Sequence, residues 1–222
     1  MSIFDSMKKY FLIPTLLFLV FCSKEKVSKT EIALDTLAVS INSENTPTKD
    51  SLTLKEPAQN DIKNLNNEIL QLLKTKDYEK LAHYFHPEKG VRFSMYGYVQ
   101  PKKDKVFSKE DFLKYIGTNI KVTWGEKDGT GDLLQMSLKN YLQIWVFVKD
   151  LTQSEVSLNE IKHRGNTINN IKEIYPNSDF TENYLEGTEE YAQMDWNSLR
   201  LVFEEYEGKL FLVGVINDQW TI

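Results

Sequence analysis

The sequence predicts an α+β domain with helices in its first half and antiparallel strands in its second. Apolar residues between Asp61 and Phe85 recur at helical spacing, and those between Phe180 and Ile216 at strand spacing. A chain of that order packs its helices on one face of a curved sheet. The 222 residues carry 27 basic and 32 acidic side chains, a net charge of −5, and 41% are hydrophobic. These values exclude a multi-span membrane protein and a fully disordered acidic chain. The charge has the wrong sign for nucleic acid, which is excluded as a partner. One cysteine excludes an internal disulfide, and three histidines leave little for a metal site, so neither metal nor cofactor is expected.

The N-terminus is an export signal by pattern. Met7-Lys8-Lys9 is followed by an apolar run from Tyr10 to Phe21 and then by Cys22. A basic start before a short apolar run marks a secretory signal. The run is too short to cross a bilayer, which takes about 20 residues. Leu19-Val20-Phe21-Cys22 resembles the lipobox of bacterial lipoproteins, although Phe21 stands where that box has a small residue. The resemblance implies that residues 1–21 are removed and that Cys22 is acylated, making the bilayer a partner and the cell envelope the location. Several acyl chains anchor stably where one would not. The alternative is a lone thiol in an uncleaved or conventionally cleaved signal. Met1 and Met7 are both possible starts.

Residues 22–60 are expected to form a flexible tether. They hold no aromatic side chain and are rich in Ser, Thr, Lys and Glu, so they bury too little apolar surface to offset chain entropy. Residues 61–222 form one domain of ordinary size.

Within it, Ile62, Leu65, Ile69, Leu72 and Leu73 predict a helix over 61–74, and Tyr78, Leu81, Ala82 and Phe85 a second, ended by Pro87. Val91–Val99 alternates as a strand, with Arg92, Ser94, Tyr96 and Tyr98 on one face. Ser108-Lys-Glu-Asp111 is a capping box before a helix carrying Phe112, Tyr115 and Ile116. Ile120, Val122 and Trp124 predict a strand, and Leu134 to Val148 another helix, with strand as the alternative for 144–148. Strands follow at 180–185, 199–206 and 209–216, the last two joined by a Glu207-Gly208 turn.

The leading helix pair and the closing Gly208-Lys-Leu-Phe-Leu-Val-Gly-Val-Ile216 hairpin resemble the nuclear-transport-factor-2-like (SnoaL-type) fold. That resemblance implies a cone of sheet around helices with a pocket at its mouth. The segments Gly90–Tyr98, Gly165–Ile171, Met194–Phe203 and Asp218–Ile222 are also similar to a family of exported bacterial proteins, which implies no particular activity.

Candidate chemistry follows from residue types. His86 suits an acid or base at the pocket mouth, or a helix C-terminus meeting the dipole. Arg92, Tyr96 and Tyr98 suit a carboxylate or sugar-like ligand through bidentate pairing and ring stacking, or form a packing layer with a structural ion pair. Glu126, Asp128, Thr130 and Asp132 alternate as calcium oxygens do. Ser137 or Lys139 stands where such a loop needs its closing Glu, so a solvated hairpin tip is favoured. The Gly165–Asn170 turn, with His163 and Arg164 before it, either reaches a ligand or shapes turns. Asp195 and Asp218 form an acid/base pair, or cap turns and pair Arg200, which is itself counted with Arg92, Tyr96, Tyr98 and His163 as a candidate ligand-binding residue. No nucleophile elbow, phosphate loop or metalloprotease motif occurs. Three functions are thus in play. A binding module for a small polar ligand or an envelope partner is favoured, ahead of an isomerase- or hydratase-type enzyme and an envelope structural protein.

Overall fold

The computed structural model describes residues 56–162 and 168–221; the signal sequence, Cys22 and the tether up to residue 55, together with His163 and Arg164, lie outside them. The α+β expectation holds, with a mostly antiparallel sheet. Helix α1 spans Glu56–Thr75 and so begins five residues before the expected Asp61. Helix α2 (Tyr78–Leu81) continues into a 3-10 turn, Ala82–Tyr84. Asp77 caps α2 by accepting from the Lys80 amide. Then come β1 (Val91–Ser94), β2 (Lys105–Phe107), α3 (Lys109–Ile116), β3 (Lys121–Glu126) and β4 (Leu133–Ser137). They are followed by α4 (Leu138–Tyr141), β5 (Glu155–Leu158), α5 (Ile171–Ile174), β6 (Asp179–Leu185), β7 (Asn197–Tyr206) and β8 (Lys209–Gln219).

The main sheet runs β2-β1-β8-β7-β6-β5, with β1 parallel to β8 and every other pair antiparallel; β3 and β4 form a separate ribbon. Both predicted local signals form. The Ser108 hydroxyl accepts from the Asp111 amide at 3.0 Å. Glu207 and Gly208 take φ of 50° and 75°, the type I′ geometry that matches strand twist.

Three expectations are corrected. The strand from Val91 stops at Ser94: its pairing with β2 ends at Phe93 and Lys105 and its pairing with β8 at Ser94 and Ile216, although β8 itself runs on to Gln219, and residues 95–98 bend away. Leu134–Val148 is not one helix. Leu134 and Met136 alternate within β4, Ser137 caps α4, and a π-helical turn Leu142–Val146 follows. The bulky run Leu138, Tyr141, Leu142 and Val146 satisfied helical spacing because its second half is helical. Ile120 is not in β3 but precedes it and is exposed. The short strands β2 and β5 carry no alternation long enough to detect.

The helix-covered face of the sheet is filled. Phe85, Phe93, Phe107, Phe112, Trp124 and Tyr141 are buried together, and Trp124 stacks on Tyr141 with ring centroids 3.6 Å apart. Polar groups fix how α1 docks. Asn66 and Asn183 exchange side-chain amide bonds of 2.9 and 2.8 Å, and the Thr181 hydroxyl donates to Asn66 at 2.6 Å. Gly90 turns at φ +65° against the Phe107 carbonyl, where a Cβ has no room.

The opposite face carries a smaller core of Val99, Ile171, Phe180, Val202, Val213 and Ile216. Beside it Arg200 is buried between two carboxylates. Its Nε and Nη2 donate to Glu182 at 3.0 and 2.9 Å, and its Nη1 donates to Asp218 at 2.9 Å. The three residues sit on β7, β6 and β8, so the pairing ties three adjacent strands.

Removing one partner of a buried pair strands the other charge. Arg200→Met is therefore expected to lower the unfolding free energy by about 3–5 kcal/mol in urea titration. Lys89→Ala, which removes an exposed pair with Glu204, should cost under about 1 kcal/mol. Similar losses for both would contradict the assignment.

Candidate functional site

The structure separates the residues that strand alternation had grouped. Arg92 points to the sheet face away from α1, where its guanidinium donates to the Pro101 carbonyl at 2.9 Å and lies beside Tyr175. Tyr96 packs its ring on Trp145, and its hydroxyl accepts from the Asp128 amide at 3.0 Å. Burial raises its pKa. Tyr98 stands 48% exposed. Tyr96 and Tyr98 border one cavity, and Arg92 does not.

That cavity has a volume of about 1180 Å³ and lies between the 95–105 segment and the β3–β4 hairpin. It is not inside the helix-covered face, which aromatic side chains occupy. One wall brings Tyr96, Tyr98, Gln100 and Lys102–Lys105; the other brings Thr123 to Gly131 and Leu133. Lysines and carboxylates nearly balance along it. The hairpin tip thus faces the cavity, with Gly129 and Gly131 at positive φ. Among the described residues no cluster of His, Cys, Asp or Glu is set to hold a metal ion.

Asp104 is the titratable group that sequence reasoning passed over. Its Oδ2 accepts from the Ser94 hydroxyl and, at 2.7 Å, from the Gln100 amide, closing the 95–104 segment into a loop. Burial raises its pKa above the ordinary carboxylate value, against those hydrogen bonds and Arg92, which lower it. Behind it the Tyr141 hydroxyl is buried with no hydrogen-bond partner among the described residues, its pKa raised by burial and by Asp104. Asp104 sits in a lysine-flanked turn after Pro101, and nothing in its spacing ties it to Ser94.

The other candidates serve structure. His86 is buried; its Nδ1 accepts from the Glu88 and Lys89 amides, and its ring meets Tyr206 and Phe211. An acid/base role at a pocket mouth is corrected by that burial. Asp195 pairs with Lys149 at 2.9 Å and accepts from the Thr188 amide at 2.6 Å, and Lys149 lowers its pKa to about 2. Asp218 pairs with Arg200, so the two aspartates do not form an acid/base pair. A second hollow of about 520 Å³ touches Arg200, Asp218, Asn169 and Asn170. Asn170 is spent on both backbone groups of Val99, at 2.8 and 3.0 Å, and Asn169 caps Ile171 at 2.9 Å. Gly97 leans on the same ion cluster; a Cβ there would lie 2.7 Å from Asp218 Oδ2.

No known protein family matches this chain, and no curated protein does. Among solved structures, the 1.8 Å structure of Aln2 from a Streptomyces species is similar at 9% identity, covering 74% of this chain and 92% of that one. Its TM-score is 0.35, a likeness too slight to carry function.

Folded Asp104 holds its proton more tightly than the unfolded chain does. The fold therefore gains stability as pH falls through that titration and loses it as pH rises. Asp104→Asn keeps an acceptor for Ser94 and Gln100 without the charge. Its melting temperature is expected to equal or exceed wild type at pH 7 and to lose any advantage by about pH 3. A variant weaker at pH 7 and equal at about pH 3 would reverse the sign.

Proposed function

We propose that the protein is an exported binding module, tethered to the cell envelope through acylated Cys22, that holds a small polar ligand or a peptide of an envelope partner in the cavity beside the β3–β4 hairpin. The observation that supports this most is Tyr98. A large aromatic side chain stands half-exposed at the rim of a cavity of about 1180 Å³, beside Tyr96 and a balanced set of charges. Rings of this kind stack on a ligand while neighbouring polar groups orient it. We assign the domain to the nuclear-transport-factor-2-like class, on its helix pair followed by a sheet that closes with the long β7–β8 hairpin. Catalysis is the weaker reading, because His86, Asp195 and Asp218 are each committed to hydrogen bonds or ion pairs away from the cavity. No helix among the described residues is long and apolar enough to cross a membrane. In this reading the lipid is the anchor.

Two measurements test it. In a thermal-shift screen of sugars, carboxylates and short peptides, a true ligand at a hundred times its Kd should raise the melting temperature by roughly 5–10 °C. Tyr98→Ala should abolish that shift without changing the unliganded melting temperature; an unchanged shift sinks the site. Separately, Cys22→Ser should lose palmitate labelling and move the protein from the membrane pellet to the soluble fraction. Retention in the pellet would sink the anchor.

A further inference from the structure

The inference rests on the binding-module reading and names what the cavity takes. Adjacent side chains of a strand point to opposite faces, so a strand facing a cavity with one side contributes every second residue. Here the last four residues of β3, Thr123 through Glu126, all border it, one after another. It is therefore the edge of β3 that runs along the cavity. Among the described residues β3 pairs with β4 alone. In such a ribbon alternate residues turn their N–H and C=O groups away from the partner strand. Just past the end of β3, the Asp128 N–H in the hairpin turn donates to the Tyr96 hydroxyl at 3.0 Å. The volume, about 1180 Å³, also exceeds the roughly 300–1,000 Å³ usual for small-molecule pockets. Its rim leaves Tyr98 48% and Leu133 56% exposed.

We propose that the edge of β3 accepts an extended segment of a partner polypeptide as an added strand, lying between the hairpin and the 95–105 loop. Backbone pairing supplies affinity in this mode, and alternate side chains supply choice. Apolar side chains of the segment meet Tyr98 and Leu133. An acidic side chain reaches the turn that carries Lys102 and Lys103. A second copy of this chain is a poor occupant. Lys121 and Lys127 would bring like charges to an antiparallel edge-to-edge pair.

Panning the intact protein against displayed linear peptides supplies probes. Each enriched peptide is then resynthesised with one backbone N-methyl group at each position in turn. Affinity is measured alongside amide exchange of residues 121–128. N-methylation at every second position should weaken binding about tenfold or more, with the intervening positions tolerant. Amides on the free edge should slow in exchange, and Tyr98→Ala should weaken binding about fivefold or more. Three results overturn strand addition: no peptide enriches, the N-methyl scan shows no alternation, or peptides bind without slowing exchange in β3. The broader reading fails differently. It falls only when neither peptides nor small ligands bind in a Tyr98-dependent way. A sugar or carboxylate that binds through Tyr98 while peptides do not preserves the module and removes the added strand.

Discussion

The buried guanidinium of Arg200 constrains the region around it more than any other group. It sits on β7 and draws a carboxylate from each neighbouring strand, so β6, β7 and β8 are held in one alignment by charge as well as by their ladder. Burying a cation is costly unless it is fully paired, and here three donors are engaged. The cluster also dictates what can lie over it. Gly97 passes so close to Asp218 that a side chain would collide. The loop that carries Tyr96, Tyr98 and Asp104 is thereby pressed against the sheet at its middle, with Asn170 gripping Val99 just beyond.

That constraint explains why the cavity is where it is. Phe93, Phe112, Trp124 and Tyr141 fill the helix-covered face of the sheet, and interiors of that density leave no room for a ligand. The open volume forms instead where two elements leave the sheet: the 95–105 loop, which bends off where the β1 ladder ends at Ser94, and the β3–β4 hairpin, which among the described residues pairs only with itself. Tyr96 spans the gap and ties one to the other through Asp128.

Much of the fold was legible from residue spacing. The stripe in α1, the Ser108 cap and the Glu207-Gly208 turn are local signals and formed as expected. The failures share a physical cause. Whether Val91–Val99 continues as a strand depends on where its pairing with β2 and with the distant β8 ends, which its own alternation does not contain. Likewise Leu134 lies in a strand because Gly125 lies opposite it and Glu126 opposite Leu133, a fact no local periodicity contains. The site suffered most. Arg92 and Tyr98 share a spacing but not a destination, and Asp104 acquires its character from a burial that nothing nearby in sequence announces. The pairing of Arg200 with Asp218, by contrast, follows from the sequence, because two strands joined by a tight turn bring those positions onto one face, two places apart in register.

Strand β6 presents hydrogen-bonding side chains in both directions. Thr181 and Asn183 face α1, while Glu182 between them faces Arg200. A shift of its pairing by one position would turn the carboxylate onto the helix amide and an amide onto the guanidinium, leaving each without its complement. Ordinary strands distinguish inside from outside by greasiness and tolerate mis-seating until packing corrects it. This one carries a chemical key on either side, so its seating and that of the first helix are decided together, and neither can settle while the other is out of place.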